Sequence, residues 1–105
     1  MKTHHMWVKS MLLADIERGD KDLEIRPAKG VFLKIKCGDR LVFNQRLHRT
    51  VVAVRRYESM VAAVIAEPAA HLWPGHRQQE VLAALADLYN PNDDAFVVFE
   101  LVKTP

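Results

Sequence analysis

At 105 residues, 50% of them apolar and 27% charged, the chain has room for one compact core and not two, and the composition of an ordinary globular domain. No apolar run approaches the roughly 20 residues of a membrane span, and the first residues lack the basic-then-apolar order of a signal peptide, so a soluble cytoplasmic protein is expected. The net charge of +2 hides an asymmetry: residues 1–56 hold 13 Lys or Arg against 6 Asp or Glu, a net +7, while residues 57–105 hold 2 against 7, a net −5. A positive half offers a surface to an anion, most commonly a nucleic-acid backbone, although strand-rich segments also expose Lys and Arg simply to stay soluble.

In chain order, His4 to Lys9 alternates well enough for a short strand. With Met6 and Val8 inward, Trp7 and Lys9 face out; with the strand inverted, Trp7 is core. Ser10 stands where it can cap a helix over 10–18 with Met11, Leu12 and Ile16 as its apolar stripe, and Gly19 stands where it can end that helix in a left-handed turn. A second strand from Asp22 puts Leu23 and Ile25 on one face and Glu24 and Arg26 on the other, with Lys21 at its entrance. Pro27 to Gly30 reads as a turn. Val31, Leu33 and Ile35 then alternate with Lys34 and Lys36, which suits either a strand or an extended loop with a basic outer face.

Gly38-Asp39 turns the chain into a strand that aligns Leu41 with Phe43, and Asn44-Gln45 connects it to a long strand over 47–57. The centre of that strand, Thr50 to Val54, is β-branched and apolar on both faces, as a closed barrel with a helix outside it requires. Ser59 can cap a helix carrying Val61, Val64 and Ile65 that stops before Pro68, and residues 69–76 read as a loop from Pro74-Gly75. A further helix aligns Val81, Leu85, Leu88 and Tyr89 and is ended by Asn90-Pro91. Asn92-Asp93-Asp94 then turns the chain into a last strand, Ala95 to Val102. The plan is α+β: a mixed barrel with one helix after the first strand and two before the last.

Chemistry concentrates in Gly19 to Arg26, where an amine (Lys21), a carboxylate (Glu24) and a guanidinium (Arg26) can converge at the mouth of a concave surface. Spacing alone makes Glu24 and Arg26 a surface pair worth about 0–1 kcal/mol. Lys9, Lys29, Lys34, Lys36, Arg46, Arg49, Arg55 and Arg56 can track phosphates. Trp7, Tyr57 or Trp73 can each either join the core or stack a base, a stack being worth roughly 1–3 kcal/mol. Trp73, beside Pro74-Gly75, is the candidate for an exposed gate. No metal and no cofactor are expected. His4 and His5 point oppositely on a strand, His71 and His76 have no carboxylate or cysteine at ligand spacing, and there is no His-Glu-x-x-His. Cys37 is the one cysteine, so it forms neither an intramolecular disulfide nor a cysteine metal cluster, and with no base near it in sequence it reads as a passive thiol. A serine-hydrolase elbow and a phosphate-binding glycine loop are both missing.

The spacing Gly19-x-Lys21-x-x-Glu24-x-Arg26 resembles the signature of the ASCH domain, a member of the PUA-like β-barrel superfamily. The strand and helix ahead of it, Ile35 to Phe43, Val51 to Tyr57, and the closing helix and strand resemble the same family, so the likeness covers nearly the whole chain. It implies one ASCH/PUA-like domain over 1–105 that binds RNA or a modified nucleobase in a cleft between barrel and helices. In that cleft Lys21 would approach a phosphate or base carbonyl as a point charge, and Arg26 would grip an oxyanion. Glu24 would accept from an exocyclic amine or orient Arg26, and Lys9, Tyr57 and Trp73 would add contacts. The alternative is a nucleoside amidohydrolase. Some ASCH-type proteins deacetylate N4-acetylcytidine with a Lys, a Thr and a later Glu, which would make Lys21 and Glu24 catalytic here. Lys21 matches, but Glu24 stands in place of the Thr and Pro74 in place of the Glu, leaving Glu67 or Glu80 as spatial substitutes. A third possibility is an interaction module with no cleft chemistry.

Overall fold

The computed structural model describes residues 1–90 and 95–105, so the expected turn at Asn92-Asp93-Asp94 and the helix stop at Pro91 lie outside the described residues. The chain runs through β1 (Thr3–Met6), α1 (Ser10–Arg18), β2 (Leu23–Pro27), a 3-10 helix (Gly30–Lys34), β3 (Arg40–Phe43) and β4 (Leu47–Tyr57). It continues through α2 (Met60–Ala66), α3 (Ala69–Leu72), α4 (Gln78–Leu88) and β5 (Phe96–Lys103). The strands form one sheet in the order β1-β3-β4-β5-β2, with β1 and β3 parallel and the other pairs antiparallel. The sheet curls into a half-barrel whose two edges are β1 and β2.

Two apolar clusters hold the layers together, one on each face of the sheet. Leu13 and Ile16 of α1 and Ile35 pack with Leu41, Phe43, Val51, Val97, Phe99 and Leu101. On the other face, Met60, Ala63 and Val64 of α2, Leu72 of α3, and Val81 and Leu85 of α4 pack on Leu23, Ile25, Phe96 and Val98. β5 is buried on both faces and sends alternate residues into the two clusters as the pleat requires. That role was expected of β4. A register shift between Val51 and Ala53 breaks β4's alternation, and Val52 and Val54 remain 40% and 38% exposed.

The helix signals are partly as read. Gly19 ends α1 at φ 86°, donating to the Asp15 and Ile16 carbonyls, and the Ser59 hydroxyl caps α2 by accepting from the Ala62 amide at 3.0 Å. Ser10 does not cap α1. It is the first helical residue, and Lys9 takes the cap position without a side-chain bond. Within the expected loop of residues 69–76 lies the short helix α3, so among the described residues three helices, not two, lie between β4 and the last strand. The alternating stretch 31–36 is neither strand nor extended loop but mostly the 3-10 helix. At three residues per turn, Phe32 and Ile35 face inward while Val31 and Leu33 are exposed. Among the described residues, no helix is long and apolar enough to cross a membrane.

Asp39 clamps β1 to the segment before β3. Its buried carboxylate accepts from the Lys2 and Lys36 amides, each at 3.0 Å, and from His4 Nε2 at 2.9 Å. The Lys2 amide, the His4 ring and the Lys36 amide hold the carboxyl well below the usual aspartate range. Its stabilising contribution is therefore complete above the ordinary aspartate pKa and is lost as pH falls from there toward the folded value. Asp39→Asn is expected to lower the urea midpoint at neutral pH, and the gap to the wild type should narrow by about pH 3. Equal midpoints at neutral pH would show that the clamp contributes nothing.

Candidate functional site

The site forms where the half-barrel fails to close. After the left-handed turn at Gly19, the Asp20 and Lys21 amides both return to the Asp15 carbonyl, at 3.0 and 3.1 Å, which fixes Lys21 at the foot of β2. Its side chain then turns inward and is only 2% exposed. Nζ donates to the Leu23 and Leu72 carbonyls, the latter at 2.7 Å, and lies 3.6 Å from Glu24 Oε1. Burial pushes the ammonium below the ordinary lysine value, against the opposing pull of Glu24.

Glu24 is also buried. Oε1 accepts from the Ile25 amide at 3.2 Å, and Oε2 accepts from Arg26 Nη2 at 3.4 Å. Burial alone would raise its pKa, but Lys21 and Arg26 outweigh burial and hold the carboxyl below its ordinary range. Arg26 Nη2 also donates to the Trp7 carbonyl at 3.0 Å, which bridges edge strand β2 to the chain leaving edge strand β1. The guanidinium stands 5.5 Å from the Phe32 ring, within range of a cation–π contact.

Above this trio opens a cleft of about 430 Å³. One wall is the junction of β1 and α1, with Trp7, Val8, Lys9 and Leu12; the other is the end of α3, with Leu72 and Trp73, and one face of α4, with Val81, Leu85, Leu88 and Tyr89. Lys9 Nζ reaches across to within 5.9 Å of the Trp73 ring, and the His76 ring leans on that indole at 5.0 Å. Trp73 Nε1 is buried and has no acceptor among the described residues. Trp7 is 64% exposed, so of its two orientations it takes the outward one.

Lys21, Glu24, Arg26, Lys9 and Trp73 thus line one cleft, and Trp7 lines it with them. Tyr57 does not. Its ring packs against the cluster under α2 and α4, and its hydroxyl donates to Glu67 Oε2 at 2.5 Å, which raises its pKa. Two of the phosphate-tracking arginines are also committed elsewhere. Buried Arg49 donates to the Ile16 and His48 carbonyls at 3.0 and 2.8 Å. Arg55 grips both Glu67 oxygens, at 2.7 and 3.0 Å, and Glu100 at 2.9 Å. Lys9, Lys29, Lys34, Lys36, Arg46 and Arg56 remain at the surface, Arg46 within 3.3 Å of Glu17.

Neither substitute carboxylate reaches the cleft. Glu67 is held by Arg55 and Tyr57, which outweigh burial and keep it ionised, and Glu80 accepts from the Arg77 amide at the start of α4. Glu24 is the one carboxylate among the lining residues, so an amide hydrolysis needing a threonine and a second carboxylate finds neither there. The apolar wall was partly missed, although Leu85 and Leu88 at helical spacing carried its signal: the stripe on α4 runs past the core and overhangs the cleft. Among the described residues, no cluster of three His, Cys, Asp or Glu side chains could hold a metal ion.

No family model matches the chain, and no curated protein matches it. It is similar to the crystal structure of hypothetical protein PH0355, with 24% identity and a TM-score of 0.88 over 96% of this chain and 97% of that one. It is also similar to the solution NMR structure of protein PF0455 from Pyrococcus furiosus, with 24% identity and a TM-score of 0.77 over 96% of each chain. At that identity the likeness is one of fold.

Proposed function

We propose that the cleft binds a single nucleobase, either unstacked from RNA or carried by a modified nucleoside, and that the chain is an ASCH-type domain of PUA-like architecture. The observation that carries this reading is a buried carboxylate set between an ammonium and a guanidinium, at the floor of a cleft walled by indole rings. A volume of about 430 Å³ suits one base-sized ligand and excludes a duplex. Fixed polar groups below and aromatic faces at the side are what recognition of a splayed-out base requires. The resemblance of Gly19-x-Lys21-x-x-Glu24-x-Arg26 to the ASCH signature supports the same reading. So do the exposed lysines of the N-terminal half, which offer a path for the phosphate backbone.

The test is equilibrium binding of a labelled single-stranded RNA pool at two salt concentrations, by the wild type and by Trp7→Ala. Affinity should fall with salt at a log-log slope of about −0.7 per neutralised phosphate. Trp7 is an exposed wall residue, so its loss should leave folding intact and weaken binding by roughly 5- to 150-fold, the equivalent of one lost stack. A flat salt response would remove backbone tracking, and full affinity in Trp7→Ala would place the base elsewhere.

A further inference from the structure

The two cations beside Glu24 neutralise it without using up its acceptor capacity. Lys21 directs its hydrogen bonds at the Leu23 and Leu72 carbonyls and stays 3.6 Å from the carboxylate. The two donors that do reach Glu24, the Ile25 amide at 3.2 Å and Arg26 Nη2 at 3.4 Å, are both longer than the ~2.7–2.9 Å of a strong charge-assisted bond. An ionised carboxylate offers about four lone-pair sites and no donor. With one weak hydrogen-bond partner on each oxygen and the Lys21 ammonium 3.6 Å from Oε1, the carboxylate keeps acceptor capacity, and Glu24 is among the residues that line the cleft. Beyond Oε2 stands Arg26, whose fork carries further N–H groups. The floor thus reads acceptor, acceptor, donor.

Of the unmodified bases, guanine alone presents the complement along one edge: the N2 amine, the N1 imine hydrogen and then the O6 carbonyl. Cytosine and adenine set an acceptor nitrogen beside their amine, and uracil flanks its one N–H with two carbonyls. Each of these turns a lone pair toward an oxygen of the buried carboxylate, a repulsion that costs more than a missing bond.

We propose that the base held in this cleft is of the guanine type, its two adjacent N–H groups on Oε1 and Oε2 of Glu24 and its carbonyl toward Arg26. The assignment rests on the nucleobase reading above and names the base class for the same cleft.

The test is tryptophan-fluorescence titration of the intact chain with the 5′-monophosphates of guanosine, inosine, adenosine, cytidine and uridine, with N4-acetylcytidine, and with short single-stranded RNAs identical except at one position. Guanine should bind tightest, by roughly 5- to 150-fold over the other bases, the range of one bidentate contact. Inosine, which lacks only the N2 amine, should fall between. Binding in which adenine, cytosine, N4-acetylcytosine or uracil equals or beats guanine overturns the guanine assignment and leaves the nucleobase reading standing. Binding of none of these ligands overturns both. Glu24→Gln sets a donor where an acceptor is needed and should level the ranking; a folded Glu24→Gln that still prefers guanine refutes Glu24 as the reader. If that variant does not fold, the comparison of guanosine with inosine on the wild type decides, because it removes one N–H from the ligand.

Discussion

Replacing Lys21 by methionine is expected to lower folding stability by about 3–5 kcal/mol, the usual cost of removing one partner from a buried charge pair. The side chain is 2% exposed and supplies donors to two backbone carbonyls, one on β2 and one at the end of α3. Methionine fills a similar volume but leaves both carbonyls without that donor and leaves the buried Glu24 carboxylate with Arg26 alone as counter-charge. Against a total of about 5–15 kcal/mol for an ordinary domain, that loss brings the native state close to its threshold. Urea unfolding at neutral pH reads it directly. A loss under about 1 kcal/mol is what an exposed ion pair would give, and it would remove Lys21 from the framework of the fold. The double change Lys21→Met/Glu24→Leu should recover part of the loss, because replacing both members of a buried pair with apolar groups is far less costly than orphaning one. The bond to Leu72 also tethers the helix end that presents Trp73, so weaker ligand binding by a Lys21 variant would report displacement of that wall as much as loss of a contact.

What the sequence showed of this site, and what it hid, divides along the reach of its interactions. Gly19, Lys21, Glu24 and Arg26 lie within eight residues, so a helix stop and a period of two suffice to bring the three charged side chains together, and these three line one cleft. The role of Lys21 was not legible, because its acceptor Leu72 lies 51 residues away in a helix that read as a loop. Tyr57, Arg49 and Arg55 look like free binding groups from composition, yet each is satisfied by a distant partner: Glu67, the Ile16 carbonyl, and Glu67 with Glu100. The strands were readable except where a second period fitted the same letters. Val31, Leu33 and Ile35 alternate like a strand, but Phe32 and Ile35, three apart, are the pair that packs. Likewise the apolar run of β4 conceals the bulge that exposes Val52, since a register shift leaves no mark on composition.

Glu24→Gln should give a loss of similar size, about 3–5 kcal/mol near neutral pH, but one that shrinks as the solution is made alkaline. In the wild type, burial lowers the Lys21 pKa while Glu24 pulls it back up. Removing the carboxylate charge takes away that pull, so the folded variant holds its Lys21 proton more weakly than the wild type does, while the unfolded lysines are alike. Between the lowered folded pKa and the ordinary lysine value, the unfolded variant binds more protons than the folded one, and stability therefore rises with pH across that window. The excess over the wild type is the signature, because every other titrating group cancels in the difference. Urea midpoints for both proteins from neutrality up toward the lysine range should converge with rising pH. A gap that stays constant would mean that Lys21 carries no unbalanced charge in the variant and that the glutamate contributes shape alone. A gap that widens would reverse the assignment, placing the destabilised charge on a group that ionises as the proton leaves.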